Sequence, residues 1–165
     1  MKIIPLVIAI SLVATAAISQ TEKKSEAPAQ SPVKIGDKAS AKWSKTSEEA
    51  ATNDQQKAWL AKGKPETVTG EVVDVSCYMQ LGKTGEKHMD CGGKCVRNGQ
   101  PAGILTSDKE LYLAIPEEHH PRRDGQVDIR EFMASNMGKQ VVASGMVQDT
   151  KQGKAIFVSA MDLKK

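Results

Sequence analysis

Thr67-Val68-Thr69-Gly70-Glu71-Val72-Val73-Asp74-Val75-Ser76-Cys77 changes face halfway along its length. Val68, Gly70 and Val72 share one parity, while Val73, Val75 and Cys77 share the other. Side chains of a strand alternate between two faces, so an apolar set that jumps by one residue calls for a bulge or a sharp bend. Gly70 suits a strongly coiled strand. Such a strand is expected at the start of a small barrel and not in a flat sheet.

The chain beyond it supplies four more strands and one helix. Residues 79–98 show no apolar period and read as an irregular loop with glycines at 82, 85, 92 and 93. A second strand is expected over 100–106 and turn chemistry at 107–110, followed by Leu111, Leu113 and Ile115 alternating along a third strand. After a polar loop, Asp128 has the chemistry of an N-cap, and Glu131 three residues on has capping-box spacing. Val127 and Phe132 can staple that first turn. Ile129, Phe132, Met133 and Met137 line one helix face, and Gly138 ends it. Strands over 140–148 and 155–163 follow, turned at Asp149 and Gly153. The class is therefore mainly β. The order strand, cysteine loop, strand, strand, helix, strand, strand is that of a five-stranded OB-fold-like Greek-key barrel with one helix between the third and fourth strands. The domain is expected to occupy 66–165.

Working back toward the start, Lys2 precedes an apolar run over 3–18, and Ala17-Ile18-Ser19 offers small residues for a signal peptidase. Residues 1–19 read as a signal peptide cleaved before Gln20, which implies a periplasmic or secreted protein. No cysteine lies near that site to carry lipid, and no later stretch is long and apolar enough to span a bilayer, so no stable membrane anchor is expected. Residues 20–65 read as a polar, largely disordered linker. The part over 25–32 is rich in Ala, Pro, Gln and Ser, which cannot bury enough apolar surface to offset the entropy of ordering it. A short marginal helix is expected within 47–62, with Trp59 and Leu60 as its large apolar groups; Trp43 lies just upstream. Net charge is only +3, the charges are interspersed, and aromatics are 4% of the chain, which argues against a nucleic-acid partner. The sequence names no partner protein.

The chemistry concentrates in Cys77, His88, Cys91 and Cys95, spaced C-x10-H-x2-C-x3-C. Three thiolates and an imidazole form a competent set for zinc or a thiophilic copper ion, and Met79 and Met89 could add thioethers. An exported protein meets an oxidising compartment, so a disulfide with one spare thiol accounts for the same three cysteines. Both readings stand at this point. His119-His120 reads as solvated loop, because adjacent side chains diverge. Asp124 to Phe132 echoes half of a calcium loop but puts His120 and Arg122 where carboxylates are needed. No nucleotide loop, haem motif or nucleophilic triad is present to suggest an enzyme.

Val68-Thr69-Gly70-Glu71-Val72-Val73-Asp74, Ser76-Cys77-Tyr78, Gly85-Glu86-Lys87-His88, Cys91 and Lys94-Cys95-Val96 together resemble a group of exported bacterial OB-fold-like domains. Those domains open on such a strand, carry a Cys–His–Cys–Cys loop, and continue with strands here represented by Gly103-Ile104-Leu105 and Leu111-Tyr112-Leu113. The resemblance implies the fold, export and a metal or redox loop at Cys77, His88, Cys91 and Cys95. It implies no reaction. The expected function is that of an exported, non-enzymatic binding domain whose Cys/His loop holds a soft metal ion or is stapled by a disulfide. The alternatives are a periplasmic thiol-redox or electron-transfer accessory and an OB-fold ligand-binding module. The intact mass of protein recovered from periplasm or medium is expected to correspond to a chain beginning at Gln20; a full-length mass in the membrane fraction would refute the signal-peptide reading.

Overall fold

The computed structural model describes residues 34–36, 39–117 and 129–165. The expected signal peptide, the Ala/Pro-rich stretch, the His119-His120 pair, the calcium-loop echo and the Asp128 cap lie outside the described residues.

Strands β1 (Lys34–Ile35), β2 (Lys64–Asp74), β3 (Ala102–Leu105), β4 (Leu111–Pro116), β5 (Gln140–Thr150) and β6 (Gly153–Leu163) form one mixed sheet. Five of them close a barrel. β2 pairs antiparallel with β3 and with β5, β3 with β4, and β5 with β6, while β4 and β6 pair in parallel. The sixth, β1, adds to β6 outside the ring through Lys34↔Asp162 and Ile35↔Met161.

The change of face in β2 marks a change of partner. Residues Lys64 to Glu71 pair with Val147 to Gln140, and Glu71 to Asp74 pair with Leu105 to Ala102. Val72 and Val73 are both buried there, and both ladders run in continuous register. The register irregularity lies instead between Ser144 and Gly145, in the β5–β6 ladder. Gly70 is where the Leu105 backbone crosses so closely that a Cβ would collide with its carbonyl.

Helix α5 (Ile129–Ser135) lies between β4 and β5 in the chain. Its apolar face, with Phe132 and Met133 fully buried, joins Met137, Val72, Ile104, Val141 and Ile156 in one core. Gly138 then turns the chain at φ +76°, a left-handed conformation that favours glycine. Its N–H donates to the Val72 carbonyl at 2.8 Å, and the Val72 N–H donates to the Lys139 carbonyl at 2.9 Å, which fixes the start of β5 against the middle of the barrel. Glu131 receives a two-pronged ion pair from Arg97, at 2.9 and 3.0 Å.

Two expectations change. Residues 79–98 are mostly helical. Helix α3 (Val75–Leu81), a 3-10 turn (Glu86–His88) and helix α4 (Met89–Arg97) replace the irregular loop, and the first strand stops at Asp74. Asp74 is the reason it stops: its Oδ1 accepts from the N–H groups of Ser76 and Cys77, capping α3.

Of the residues expected as linker, 39–63 are docked on the barrel, and Lys64 and Pro65 already belong to β2. Helix α1 (Lys45–Ala50) is capped by Ser44, and helix α2 (Asp54–Leu60) by a capping box between Asn53 and Gln56. The Trp43 ring meets Phe157 edge-on, centroids 5.0 Å apart, and its Nε1–H donates to the Leu60 carbonyl. Ser47 Oγ donates to the Glu117 carbonyl, and Gln148 Nε2 to that of Trp59. One aromatic pair and scattered hydrogen bonds hold this segment, so it carries no apolar period to be read. Trp43→Ala is expected to lower stability by about 2 kcal/mol, since it removes an aromatic pair and a hydrogen bond together. Denaturant unfolding checks this; a change below about 0.5 kcal/mol, the usual surface value, would show that the segment is not docked.

Candidate metal centre

Asp74 ends β2 with no solvent exposure, and Cys77 follows in the first turn of α3. His88 enters α4 with 4% of its surface exposed. A carboxylate oxygen, the Cys77 sulfur and a ring nitrogen of His88 all lie within 4.8 Å of one another, so this buried group could hold a metal ion.

Two of these groups have atoms with no protein partner. Asp74 Oδ1 is saturated by Ser76 and Cys77, whereas Oδ2 is buried without a hydrogen bond. His88 Nε2 is buried without one as well. Each such atom costs about 1–3 kcal/mol when nothing satisfies it.

His88, Cys91 and Cys95 follow one another at i, i+3 and i+7, which places them along one face of α4. Gly92 and Gly93 belong to that helix and do not wrap an ion as loop residues. A Cβ on Gly92 would stand 3.1 Å from His88 Nε2 and 3.0 Å from Met137, so glycine leaves room beside the ring. A Cβ on Gly93 would stand 2.7 Å from the Ala134 carbonyl, which is how closely α4 packs on α5. Gly82 and Gly85 are turn residues with positive φ.

All three thiols are free. Cys91 is exposed, while Cys77 and Cys95 are half-buried. Burial first, and then the negative charge that Cys91, Asp74 and Cys77 would carry, push the Cys95 thiol up to about 11. Burial likewise raises Cys77, with the neighbouring Asp74 carboxylate and the charge of Cys91 adding to the effect. Burial also pushes the Asp74 carboxyl up, but the Ser76 hydroxyl and the N–H groups of Cys77 and Ser76 outweigh it and hold the carboxyl below its ordinary range. Anionic thiolates and a fixed carboxylate therefore oppose one another here, and a bound cation reverses that opposition.

Of the four residues expected as ligands, Cys77 and His88 are in the 4.8 Å group; Cys91 and Cys95 fall outside it, though their charge reaches it. Asp74 was not among the expected ligands. Its signal was present in Asp74-Val75-Ser76-Cys77, a cap followed three residues later by a cysteine, and it becomes readable once 75–81 is seen as helix. Met79 is 71% exposed, which removes it as a thioether donor to the buried group. Comparison with family models, curated proteins and solved structures gives no match.

Gly93→Ala is expected to destabilise the protein by about 1–3 kcal/mol, because the methyl meets helix backbone that must shift. Ala is otherwise the better helix former by about 1 kcal/mol, so a stabilised variant in thermal unfolding would show that α4 and α5 do not pack this closely.

Proposed function

We propose that the protein is an exported, non-enzymatic OB-fold-like domain that binds one zinc ion through Asp74, Cys77 and His88, with Cys95 as fourth donor. The observation that carries this is that Asp74, Cys77 and His88 each bring a ligand atom within 4.8 Å of the others, in a group where Asp74 Oδ2 and His88 Nε2 are buried with no hydrogen-bond partner. The OB-fold reading is supported by the strand order, in which the third barrel strand (β4) pairs in parallel with the fifth (β6) and the first (β2) closes onto the fourth (β5). Export rests on the amino-terminal pattern around Lys2 and Ser19.

Asp74 selects among ions. Zinc accepts carboxylate, thiolate and imidazole together, whereas reduced copper favours soft sulfur donors. The charges of both remaining cysteines reach the group, but Cys91 is exposed and Cys95 half-buried, which suits Cys95 better as a fourth donor. The raised thiols of Cys77 and Cys95 speak against the thiol-redox alternative, since reactive cysteines have depressed pKa values.

Zinc titration against a chromophoric chelator is expected to give one site per chain. Asp74→Asn keeps the capping oxygen and removes the ligand charge; it and His88→Ala are each expected to weaken zinc roughly 10–100-fold while leaving the far-UV circular dichroism unchanged. Cobalt substitution should show sulfur-to-metal charge transfer that falls by about half in Cys95→Ser and is unmoved in Cys91→Ser. No binding, or binding indifferent to Asp74 and His88, would overturn the assignment.

A further inference from the structure

Two donors of the proposed zinc group are closed to water. Asp74 has no exposed surface, and His88 has 4%. An ion that reached them bare would have lost its hydration before any ligand replaced it, which is far more costly than trading one water for one donor at a time. In the folded protein, loading therefore begins at a donor that solvent touches.

The three thiols differ in that respect. Cys91 is exposed, whereas Cys95 and Cys77 are half-buried. Cys91 lies outside the 4.8 Å group and has no part in holding the ion there. It stands four residues before Cys95 on α4, a spacing that puts two side chains on one helix face with Cβ atoms about 5–6 Å apart. Its charge reaches both Cys95 and Cys77. Gly92, the next residue, keeps the space beside His88 Nε2 free of side chain. The outermost thiol, the half-buried thiol and the buried imidazole thus follow one another along a single helix.

We infer that Cys91 is the entry ligand of the zinc site, taking hydrated zinc from solution and passing it inward to Cys95. This rests on the zinc assignment above. The handover needs no outside reagent. The bond from zinc to the Cys91 sulfur breaks as the bond to the Cys95 sulfur forms, the Cys95 thiol proton passes to Cys91, and the ion stays divalent. A thiol tethered one turn away acts at an effective concentration of about millimolar, so it competes well with water for the arriving ion. Release runs through the same steps in reverse. Cys91 therefore speeds both directions and leaves the affinity unchanged.

The test separates rates from equilibrium, using the full chain under argon. Loading is followed by stopped flow after mixing metal-free protein with zinc, and release by transfer to excess chromophoric chelator. Equilibrium competition with the chelator gives the Kd. Cys91→Ser is expected to slow loading and release alike by roughly tenfold with the Kd unchanged. Iodoacetamide on the zinc-loaded wild-type chain should modify Cys91 alone and give the same slow rates, which keeps the test independent of how the variant folds. Millimolar 2-mercaptoethanol should restore fast release in Cys91→Ser, because it supplies the missing thiolate from solution. Unchanged rates would show that the ion enters through an opening of the fold. A weakened Kd with unchanged loading would make Cys91 a resident ligand. Slow rates that the free thiol does not rescue would show only a disturbed α4. Each of these overturns the inference and leaves the zinc assignment standing, whereas wild-type protein that binds no zinc at equilibrium overturns both.

Discussion

The parallel ladder between β4 and β6 is the constraint on which the rest depends. It joins Tyr112 to Lys154 and Pro116 to Val158, and it turns a five-stranded sheet with two edges into a ring with none. A parallel pair cannot be joined by a hairpin, so the chain between β4 and β6 must leave the ring and return. It does so through α5 and β5, and α5 carries Phe132 and Met133 into the core on the way. Closure also decides what β2 must do. It has to serve β5 with its first half and β3 with its second, which is why it is long and why Gly70 sits where another backbone crosses it.

Two buried, half-satisfied polar side chains lie toward the two ends of that strand. At one end Asp74 turns β2 into α3 and is buried in doing so. One of its oxygens is consumed as a helix cap, and the other is buried with no hydrogen-bond partner, in a residue grouped with Cys77 and His88. At the other end β2 runs antiparallel to the stretch of β5 that holds Gln148, where the α1–α2 segment crosses the barrel. A buried carboxylate and a buried amide oxygen are thus each anchored by one half of their hydrogen-bonding capacity, with the other half unspent. At Asp74 anchoring by one half matters chemically, because it fixes the orientation of the free half before any ion arrives.

Much of the barrel was legible because its signals are local. Alternation in Leu111, Leu113 and Ile115, the turn at Asp149 and Gly153, and the Ile129–Met137 apolar stripe each report a single element and need no knowledge of its neighbours. The parity jump at Val72-Val73 was readable as an event but not as its cause, since a change of strand partner and a bulge leave the same trace. The docking of the segment over 39–63 was not legible, although a short helix within 47–62 was. Trp43 touching Phe157 is a contact across more than a hundred residues, and nothing periodic accompanies it. Cys77 and His88 could be picked out by residue type; Asp74 could not, because the helix it caps was hidden.

That helix and the one after it were hidden for a physical reason. α4 contains Gly92 and Gly93 in succession, each disfavouring helix by about 1 kcal/mol relative to Ala, and at 9 residues it is too short for its amphipathic pattern to stand out. Local preference and final structure disagree there, and packing wins: Gly93 admits the α5 backbone, Arg97 grips Glu131, and Val96 enters the core. Gly92 is the more telling of the two. Its missing side chain clears space beside His88 Nε2, the nitrogen with no protein partner. Natural sequences depart from local preference chiefly where function requires it. In this chain the departure coincides with the buried Asp74, Cys77 and His88 atoms, so the residue that weakens α4 is the one that keeps the imidazole open to a ligand.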